Sequence, residues 1–305
     1  VYRQIPEDAV ADAALRTGEI DLIVDANPAS AQRLSADSTL VITSFPAAEY
    51  ALIAWNTRRD PFTDPLVRRS LTLAMDRESI VDVVRGPYGS VSAGPVGPWH
   101  WTYDPTWEPI PFAPDSARAL LEQSGWIDED GDGVRENRGV PLRFELLFTP
   151  RQAWMDVATI VQANLADIGA AVEPGAREQA SLVPLVTSPD RRFDAFLVSW
   201  ARDVPLDDRD LWACDRVEDP MHFTGWCHPE LDAVLDSMQF VADRESLRRL
   251  TRRYETLVAE AQPYTFLFNV ETVLARRAGL RGVSADARGT WASVTEWWLD
   301  PEARR

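Results

Sequence analysis

Two apolar segments, PLRFELLFT (141–149) and FDAFLVSW (193–200), bound the most regular part of this 305-residue sequence. Both are short, rich in aromatic and aliphatic residues and flanked by turn formers, which predicts strands. Between them, residues 153–168 have helical spacing and stop before Gly169, and AAVEP (170–174) predicts another strand. Strands that alternate with helices need crossover connections, so the sequence predicts a parallel or mixed α/β sheet.

The same patterns continue on both sides of this region. Further strands are predicted at IDLIV (20–24), at 50–55 and at YTFLFNV (264–270). Helices are predicted at 66–85, 115–124, 229–240 and 244–261. Residues 86–114 are rich in proline and tryptophan, a composition that opposes regular structure over most of the stretch.

The chain is strongly acidic, with 31 basic and 48 acidic residues and a formal charge of −17. This charge repels nucleic acids and anionic membrane surfaces, and it suits cationic or zwitterionic ligands. No apolar run approaches the roughly 18 to 20 residues of a membrane span. The sequence begins VYRQIPEDAV, without an initiator methionine, a signal peptide or a lipid-attachment cysteine, so we expect a truncated, processed or excised piece with its signal region absent.

Six segments, taken in order, resemble the family 5 extracellular solute-binding proteins, which include dipeptide, oligopeptide and nickel binders. They are ALRTGEIDLI (14–23), Asn56 with DPFTDPLVRRSLTLAMDRESIV (60–81), DSARALLEQSGW (115–126) with DEDGDGV (128–134), QANLADIGAAV (162–172), FDAFLVSW with Asp203 (193–203), and HPELDAVLDSM (228–238). The resemblance implies the substrate-binding component of an ABC importer. Such a component captures a peptide or a related amine-bearing solute between two lobes and delivers it to a membrane permease.

The resemblance also implies an architecture. We expect a two-lobed α/β fold of the periplasmic-binding-protein type, class II-like, with one lobe essentially complete and the other partial. Residues 1–55 would be the remaining piece of the first lobe, 56–267 the second lobe, and 268–305 the return to the first lobe. We further expect a monomer without a cofactor, located in the periplasm or outside the cell and anchored to the membrane as a lipoprotein in its full-length form.

Trp200 and Asp203 are the leading site candidates, because they lie at and just beyond the end of the predicted strand 193–200 and ligands of open α/β sheets bind at the carboxyl ends of strands. The carboxylate can accept a charge-assisted hydrogen bond from an ammonium group, and an indole face adds cation–π attraction. The Trp-x-x-Asp spacing resembles the pattern by which peptide-binding members hold the α-ammonium of a peptide. The alternative is a helix N-cap or a solvated loop aspartate beside a core tryptophan.

Further candidates surround the same expected cleft. Arg151 follows the strand 141–149 and is expected to pair with a ligand carboxylate, a role that the resemblance implies for an arginine at this place, although the loop here is shorter. Trp99, His100 and Trp154 are candidates to line the cleft, and tryptophans would also stack on a sugar. The alternatives are a surface arginine and ordinary aromatic packing.

Two further motifs are open to two interpretations each. The only cysteines, Cys214 and Cys227, are either disulfide-bonded or free, and the resemblance implies a disulfide because dipeptide-binding relatives carry a pair at this spacing. DEDGDG (128–133) offers Asp128, Asp130 and Asp132 at calcium-loop positions 1, 3 and 5. The bidentate glutamate of position 12 is missing, so the motif indicates an acidic turn or a weak calcium site. No other metal site is expected.

The sequence gives no support for an enzyme. It contains no Gly-x-Ser-x-Gly, no glycine-rich phosphate loop and no His-Glu-x-x-His motif. A glycoside hydrolase is a remote alternative, since its two carboxylates are paired in space rather than in sequence. Among binding proteins, the alternative to a peptide is an oligosaccharide held by tryptophans.

Overall fold

The computed structural model describes residues 1–202, 206–286 and 288–301, so Asp203 lies outside the described residues. The helices are α1 (Asp8–Thr17), α2 (Pro28–Leu34), α3 (Pro65–Leu73), α4 (Arg77–Val84), α5 (Pro114–Gln123), α6 (Gln152–Ala166), α7 (Gln179–Thr187), α8 (Arg209–Trp212), α9 (Pro229–Phe240) and α10 (Arg244–Ala261). The strands are β1 (Leu22–Ile23), β2 (Leu40–Trp55), β3 (Gly89–Val91), β4 (Glu136–Asn137), β5 (Val140–Pro141), β6 (Arg143–Phe148), β7 (Ala171–Ala176), β8 (Ala195–Ala201), β9 (Tyr264–Arg277), β10 (Leu280–Arg281) and β11 (Trp298–Leu299).

A seven-stranded sheet organises the fold. Its order is β1-β9-β2-β8-β6-β7, and β3 also pairs with β9. β6 runs parallel to both β7 and β8, whereas the other neighbours in this sheet are antiparallel. The helices α6 and α7 supply the connections from β6 to β7 and from β7 to β8. The sheet is therefore mixed, as the alternation of strands and helices predicts.

Both faces of the sheet are covered where its middle strands lie side by side. Along Tyr50–Trp55, alternate side chains enter two different cores. Ala51, Ile53 and Trp55 pack with residues of α3, α4, α5 and α6. The side chains between them pack with residues of α7, α8, α9 and α10 on the opposite face. Burial on both faces explains why this segment is an unbroken apolar run rather than an alternating one.

A third and smaller core lies near the other end of the long strands. It joins Leu15 of α1 and Leu34 of α2 to Val273 and Ala275 of β9. The pairing of β2 with β9 shifts register between Pro46 and Tyr50, at the passage from the small core to the two large ones. The two large cores on either face of the sheet form one hydrophobic unit, and the small core forms a second. Both units share β2 and β9, an arrangement that supports two lobes connected by long strands. The predicted boundaries 1–55, 56–267 and 268–305 stay a prediction.

The single helix predicted at 66–85 is wrong, because the structure has two helices there. α3 ends at Leu73, and α4 begins after Asp76, whose side chain accepts a hydrogen bond from the backbone N–H of Ser79 at 3.0 Å. An aspartate at this position caps a new helix more favourably than it continues an old one. Periodicity alone missed the break, since the apolar spacing continues across it.

The proline-rich stretch 86–114 is held to the sheet by Arg77. This buried guanidinium donates to the carbonyl oxygens of Ser92 at 3.3 Å and Phe266 at 2.8 Å, and it also bonds that of Ile110. Burial lowers the pKa of Arg77 to about 10, so the side chain remains cationic at neutral pH. A charged donor thereby satisfies two carbonyls of the irregular stretch, those of Ser92 and Ile110, and joins them to Phe266 of β9.

Cys214 and Cys227 are joined by a disulfide in the structure, with a Cα–Cα distance of 5.1 Å. The bond closes a short loop after α8 that also contains His222, whose side chain is fully buried. The loop borders the same core as α9 and α10. This pairing is the one that the resemblance implies.

The thiol state of this pair is directly measurable. We expect intact-mass analysis after alkylation without reductant to show no modified cysteine, and alkylation after reduction to modify two. The physical reason is that the short loop holds both sulfurs within bonding reach. Two alkylated thiols in the unreduced protein would contradict the disulfide.

Candidate functional site

The carboxyl ends of β6 and β8 lie at the same edge of the sheet, because the two strands are parallel neighbours. Leu146 pairs with Ala195 and Leu147 with Phe196. β6 ends at Phe148, one residue after the pair of Leu147 with Phe196, whereas β8 continues to Ala201, five residues after it, so the two strands end at different levels along the sheet. Ligands of α/β sheets bind at such an edge, so the topology directs both regions singled out by the sequence toward the same edge of the sheet, at different levels.

Trp200 lies near the end of β8, opposite Tyr50 of β2. Its ring packs edge-to-face on Phe223, with centroids 5.4 Å apart. The side chain is half-buried against the core that Phe223 shares with α7, α8, α9 and α10. The indole is thus partly fixed by the protein and partly accessible. Asp203, its predicted companion, falls in the part of the chain that the structure does not describe.

Arg151 immediately precedes α6, where it is the N-cap residue. Its backbone N–H donates to the carbonyl of Thr149 at 2.7 Å, while its exposed side chain makes no ion pair with any residue in the described ranges. The guanidinium is therefore available to an anionic group. The N-terminal end of α6 adds a partial positive charge at the same place.

The aromatic candidates are more deeply engaged with the protein. Trp154 stacks on Phe268 of β9, with centroids 6.4 Å apart and planes 29° from parallel. Trp99 is only 7% exposed, and His100 is also buried, with its Nδ1 2.7 Å from the Thr102 hydroxyl. Packing therefore accounts for most of the surface of Trp99 and His100, whereas Trp154 keeps one partly exposed side.

A cleft of about 230 Å³ lies beside the first turn of α6. It is lined by Asn27 and neighbouring residues of α2, by Arg85 at the end of α4, and by Gln152 and Asp156 of α6. Since α2 belongs to the small core and α4 and α6 to a large one, the cleft lies between the two hydrophobic units. Burial lowers the pKa of Arg85, and nearby carboxylates, Asp25 first among them, oppose this effect.

A buried charged network, which the sequence does not indicate, adjoins the end of β8. Arg202 forms an ion pair with Asp208, and their side chains are 4% and 2% exposed. Asp208 also accepts a hydrogen bond from the hydroxyl of Tyr254, which in turn accepts one from Trp212 Nε1 at 3.0 Å. Burial alone lowers the pKa of Arg202, but the Asp208 carboxylate reverses that effect and raises the pKa above its ordinary value. We call these four residues the Arg202 network.

The acidic turn differs from the predicted calcium loop in one of its three carboxylates. Asp128 and Asp130 lie together with Glu136, with candidate ligand oxygens within 4.8 Å of one another, whereas Asp132 is not in this group. Asp132 instead accepts the backbone N–H of Val134 at 2.7 Å. Asp128 likewise accepts N–H groups of its own turn, so the turn is stabilised without an ion. A calcium role stays a prediction.

The comparisons with known proteins fit this geometry. The family model described as bacterial extracellular solute-binding proteins, family 5 (middle), matches residues 1–218. The chain belongs to this family. Membership agrees with the expectation that the protein is a solute binder rather than an enzyme.

Among the described residues, no helix combines the length and the apolar character that a membrane crossing requires.

Two relatives of family 5 cover most of this chain. The oligopeptide-binding protein AppA of Bacillus subtilis is 28% identical over 303 residues, which is 98% of this chain and 55% of the relative. Di/tripeptide-binding protein 3 of Pseudomonas aeruginosa is 26% identical over 84% of this chain and 47% of the relative. The chain thus spans about half the length of these curated relatives.

A solved structure in family 5 supports the fold assignment. The structure of Bacillus subtilis AppA in complex with a nonapeptide superposes with a TM-score of 0.84 at 27% identity. It covers 98% of this chain, and this chain covers 60% of it. The predicted periplasmic-binding-protein type of α/β fold is therefore confirmed, with part of a two-lobed protein present in this chain.

Proposed function

We propose that this chain is the larger part of the substrate-binding component of an ABC importer that captures a peptide or a related amine-bearing solute. The observation that carries the proposal is the match, over nearly the whole chain, to an oligopeptide-binding protein whose structure contains a nonapeptide. The solute would bind between two lobes and be delivered to a membrane permease. The protein would act as a monomer in the periplasm or outside the cell, anchored as a lipoprotein in its full-length form.

The residues at the sheet edge have the chemistry that this function needs. We assign Asp203 to the α-ammonium of the solute and Trp200 to stacking beside it. Arg151, whose side chain makes no ion pair among the described residues, would bind a carboxylate of the solute. The net charge of −17 also suits a solute that carries an ammonium group.

The structure offers little support for an oligosaccharide. Stacking on a sugar needs an open indole face, yet Trp99 is buried and Trp154 stacks on Phe268. Trp101 is 41% exposed, and the guanidinium groups of Arg244 and Arg248 lie over its ring, 5.4 and 5.5 Å from the centroid. These three indoles are thus wholly or partly engaged by the protein itself, and a glycoside hydrolase gains no support from the family.

Calorimetry on the full-length protein tests this function. We expect unmodified peptides to bind, N-acetylated peptides of the same sequence to bind much more weakly, and neutral oligosaccharides of similar size not to bind. The reason is that N-acetylation removes the ammonium charge that the assigned carboxylate would neutralise. Equal affinity for free and acetylated peptides, or binding of the sugar alone, would contradict the proposal.

A further inference from the structure

We propose that Arg244 and Arg248, which both lie over the exposed indole of Trp101, form a surface site for a phosphate group. The site uses none of the residues assigned to the solute and does not rest on the proposed function. Its three side chains come from α10 and from the proline-rich stretch 86–114, in parts of the chain that the structure describes.

Two guanidinium groups converge on one aromatic ring at this site. The Cζ atoms of Arg244 and Arg248 lie 5.4 and 5.5 Å from the ring centroid of Trp101. The two arginines are four residues apart on α10, so they lie on one face of the helix, one turn from each other. Both are exposed, and the indole is 41% exposed. A ligand can therefore approach all three side chains from solvent.

Neither guanidinium group has a carboxylate partner among the described residues. Asp243 caps α10 by accepting the backbone N–H of Ser246 at 2.8 Å. Glu245, in the first turn of the helix, is exposed and forms no ion pair with a described residue. Like charges four residues apart on a helix repel each other, so an anion that neutralises both arginines would also relieve this repulsion.

Arg252, one turn further along the same helix face, shows how an arginine stacked on an indole binds an anion. Its Cζ lies 4.4 Å from the ring centroid of Trp107, and its Nη2 lies 2.7 Å from a carboxylate oxygen of Asp104. Stacking uses the face of a guanidinium group, whereas its hydrogen bonds leave from the edge, so one arginine can do both. Within the described chain, Arg244 and Arg248 have the ring and lack the oxyanion.

A pair of arginines suits a phosphate group better than it suits a single carboxylate. A phosphate with no more than one ester bond carries about 1.5 to 2 negative charges near neutral pH and offers at least three acceptor oxygens. It can therefore neutralise two guanidinium groups and accept hydrogen bonds from both. A carboxylate carries one charge, which a single arginine balances, as Arg252 does for Asp104. Free phosphate and the headgroup of phosphatidic acid both supply the required group.

Equilibrium dialysis of the full-length protein against radiolabelled inorganic phosphate, at an ionic strength held constant with chloride, tests the site. Arg248→Gln removes one guanidinium group. Arg253→Gln is its matched control, because Arg253 is an exposed arginine of the same helix that Glu230 already binds through hydrogen bonds of 2.6 and 2.7 Å. We expect phosphate binding to weaken about tenfold in Arg248→Gln and less than about twofold in the control.

Arg248→Lys tests the geometry of the site separately from its charge. An ammonium group keeps the positive charge but lacks the planar fork that stacks on a ring and donates two parallel hydrogen bonds. The affinity of this variant for phosphate should therefore fall between those of the wild type and Arg248→Gln. Acetate at the same ionic strength should displace little phosphate from the wild type, because its single charge leaves one arginine unpaired.

Vesicle co-sedimentation distinguishes the two sources of the phosphate group. Phosphatidylcholine vesicles that contain phosphatidic acid are compared with vesicles that contain phosphatidylglycerol, a phosphate diester, at equal surface charge. Binding that requires phosphatidic acid and is lost in Arg248→Gln would assign the site to the lipid. Phosphate binding in dialysis without vesicle binding would assign it to the free anion.

Two outcomes would overturn the site. Equal binding by the wild type and Arg248→Gln, in dialysis and on vesicles alike, would leave only a general effect of surface charge. Displacement of phosphate by acetate as effectively as by unlabelled phosphate would exclude a site built for a phosphate group. None of these measurements involves a peptide, so a failure of the proposed function would not change their result.

Discussion

Asp203→Asn in the full-length protein should weaken peptide binding by about 2 to 5 kcal/mol while leaving the fold intact. If the carboxylate neutralises the α-ammonium of the solute in a closed cleft, its loss leaves the ammonium buried and unpaired. Asparagine keeps the size and most of the polarity of the side chain, so the change reports on charge rather than on packing. Calorimetry at constant pH and ionic strength measures the effect directly.

Asp207→Asn provides a matched control for this experiment. Asp207 is an exposed aspartate near the end of the same segment, and among the described residues its side chain accepts just one hydrogen bond, from the backbone N–H of Arg209 at 3.3 Å. The control should bind peptide as the wild type does. N-acetylation of the peptide should cost the wild type a similar amount and add little in Asp203→Asn. Normal peptide binding by Asp203→Asn would refute the assignment of the ammonium site.

Most of the architecture could be predicted from the sequence, because most helices and strands carry their own local pattern of apolar residues. The helices 229–240 and 244–261 have the predicted bounds, and β6, β7 and β8 lie within one or two residues of the predicted strands. The length of β2 was missed. Only its second half is continuously apolar, while the first half, from Leu40 onward, is held by its pairing with β9, a contact that no local pattern encodes.

The residues of the candidate site could be predicted from the sequence only in part, for a physical reason. A residue that follows a strand, such as Arg151 after β6, can be assigned to one edge of a sheet from sequence, because topology fixes the direction in which a strand ends. Whether a charged side chain turns inward depends on partners that are distant in sequence. Asp208 is one of several aspartates near α8, and its buried contacts with Arg202 and with Tyr254 of α10 distinguish it from its exposed neighbours.

Asp208→Asn should destabilise the protein by about 3 to 5 kcal/mol, the range expected when one partner of a buried ion pair is removed. The substitution leaves the Arg202 guanidinium in the interior without a counter-charge among the described residues. Deprotonation would not relieve this cost, because arginine remains protonated at any accessible pH. Urea unfolding of the variant and the wild type measures the difference, and Asp207→Asn again serves as the exposed control.

A double variant, Arg202→Met with Asp208→Leu, distinguishes the two contributions of the pair. Apolar side chains of similar volume remove both charges together, so most of the stability lost in Asp208→Asn should return. Recovery of the lost stability would mean that well-packed apolar side chains can replace the ion pair. A double variant that stays as unstable as Asp208→Asn would show instead that the directional bonds of the pair stabilise the fold.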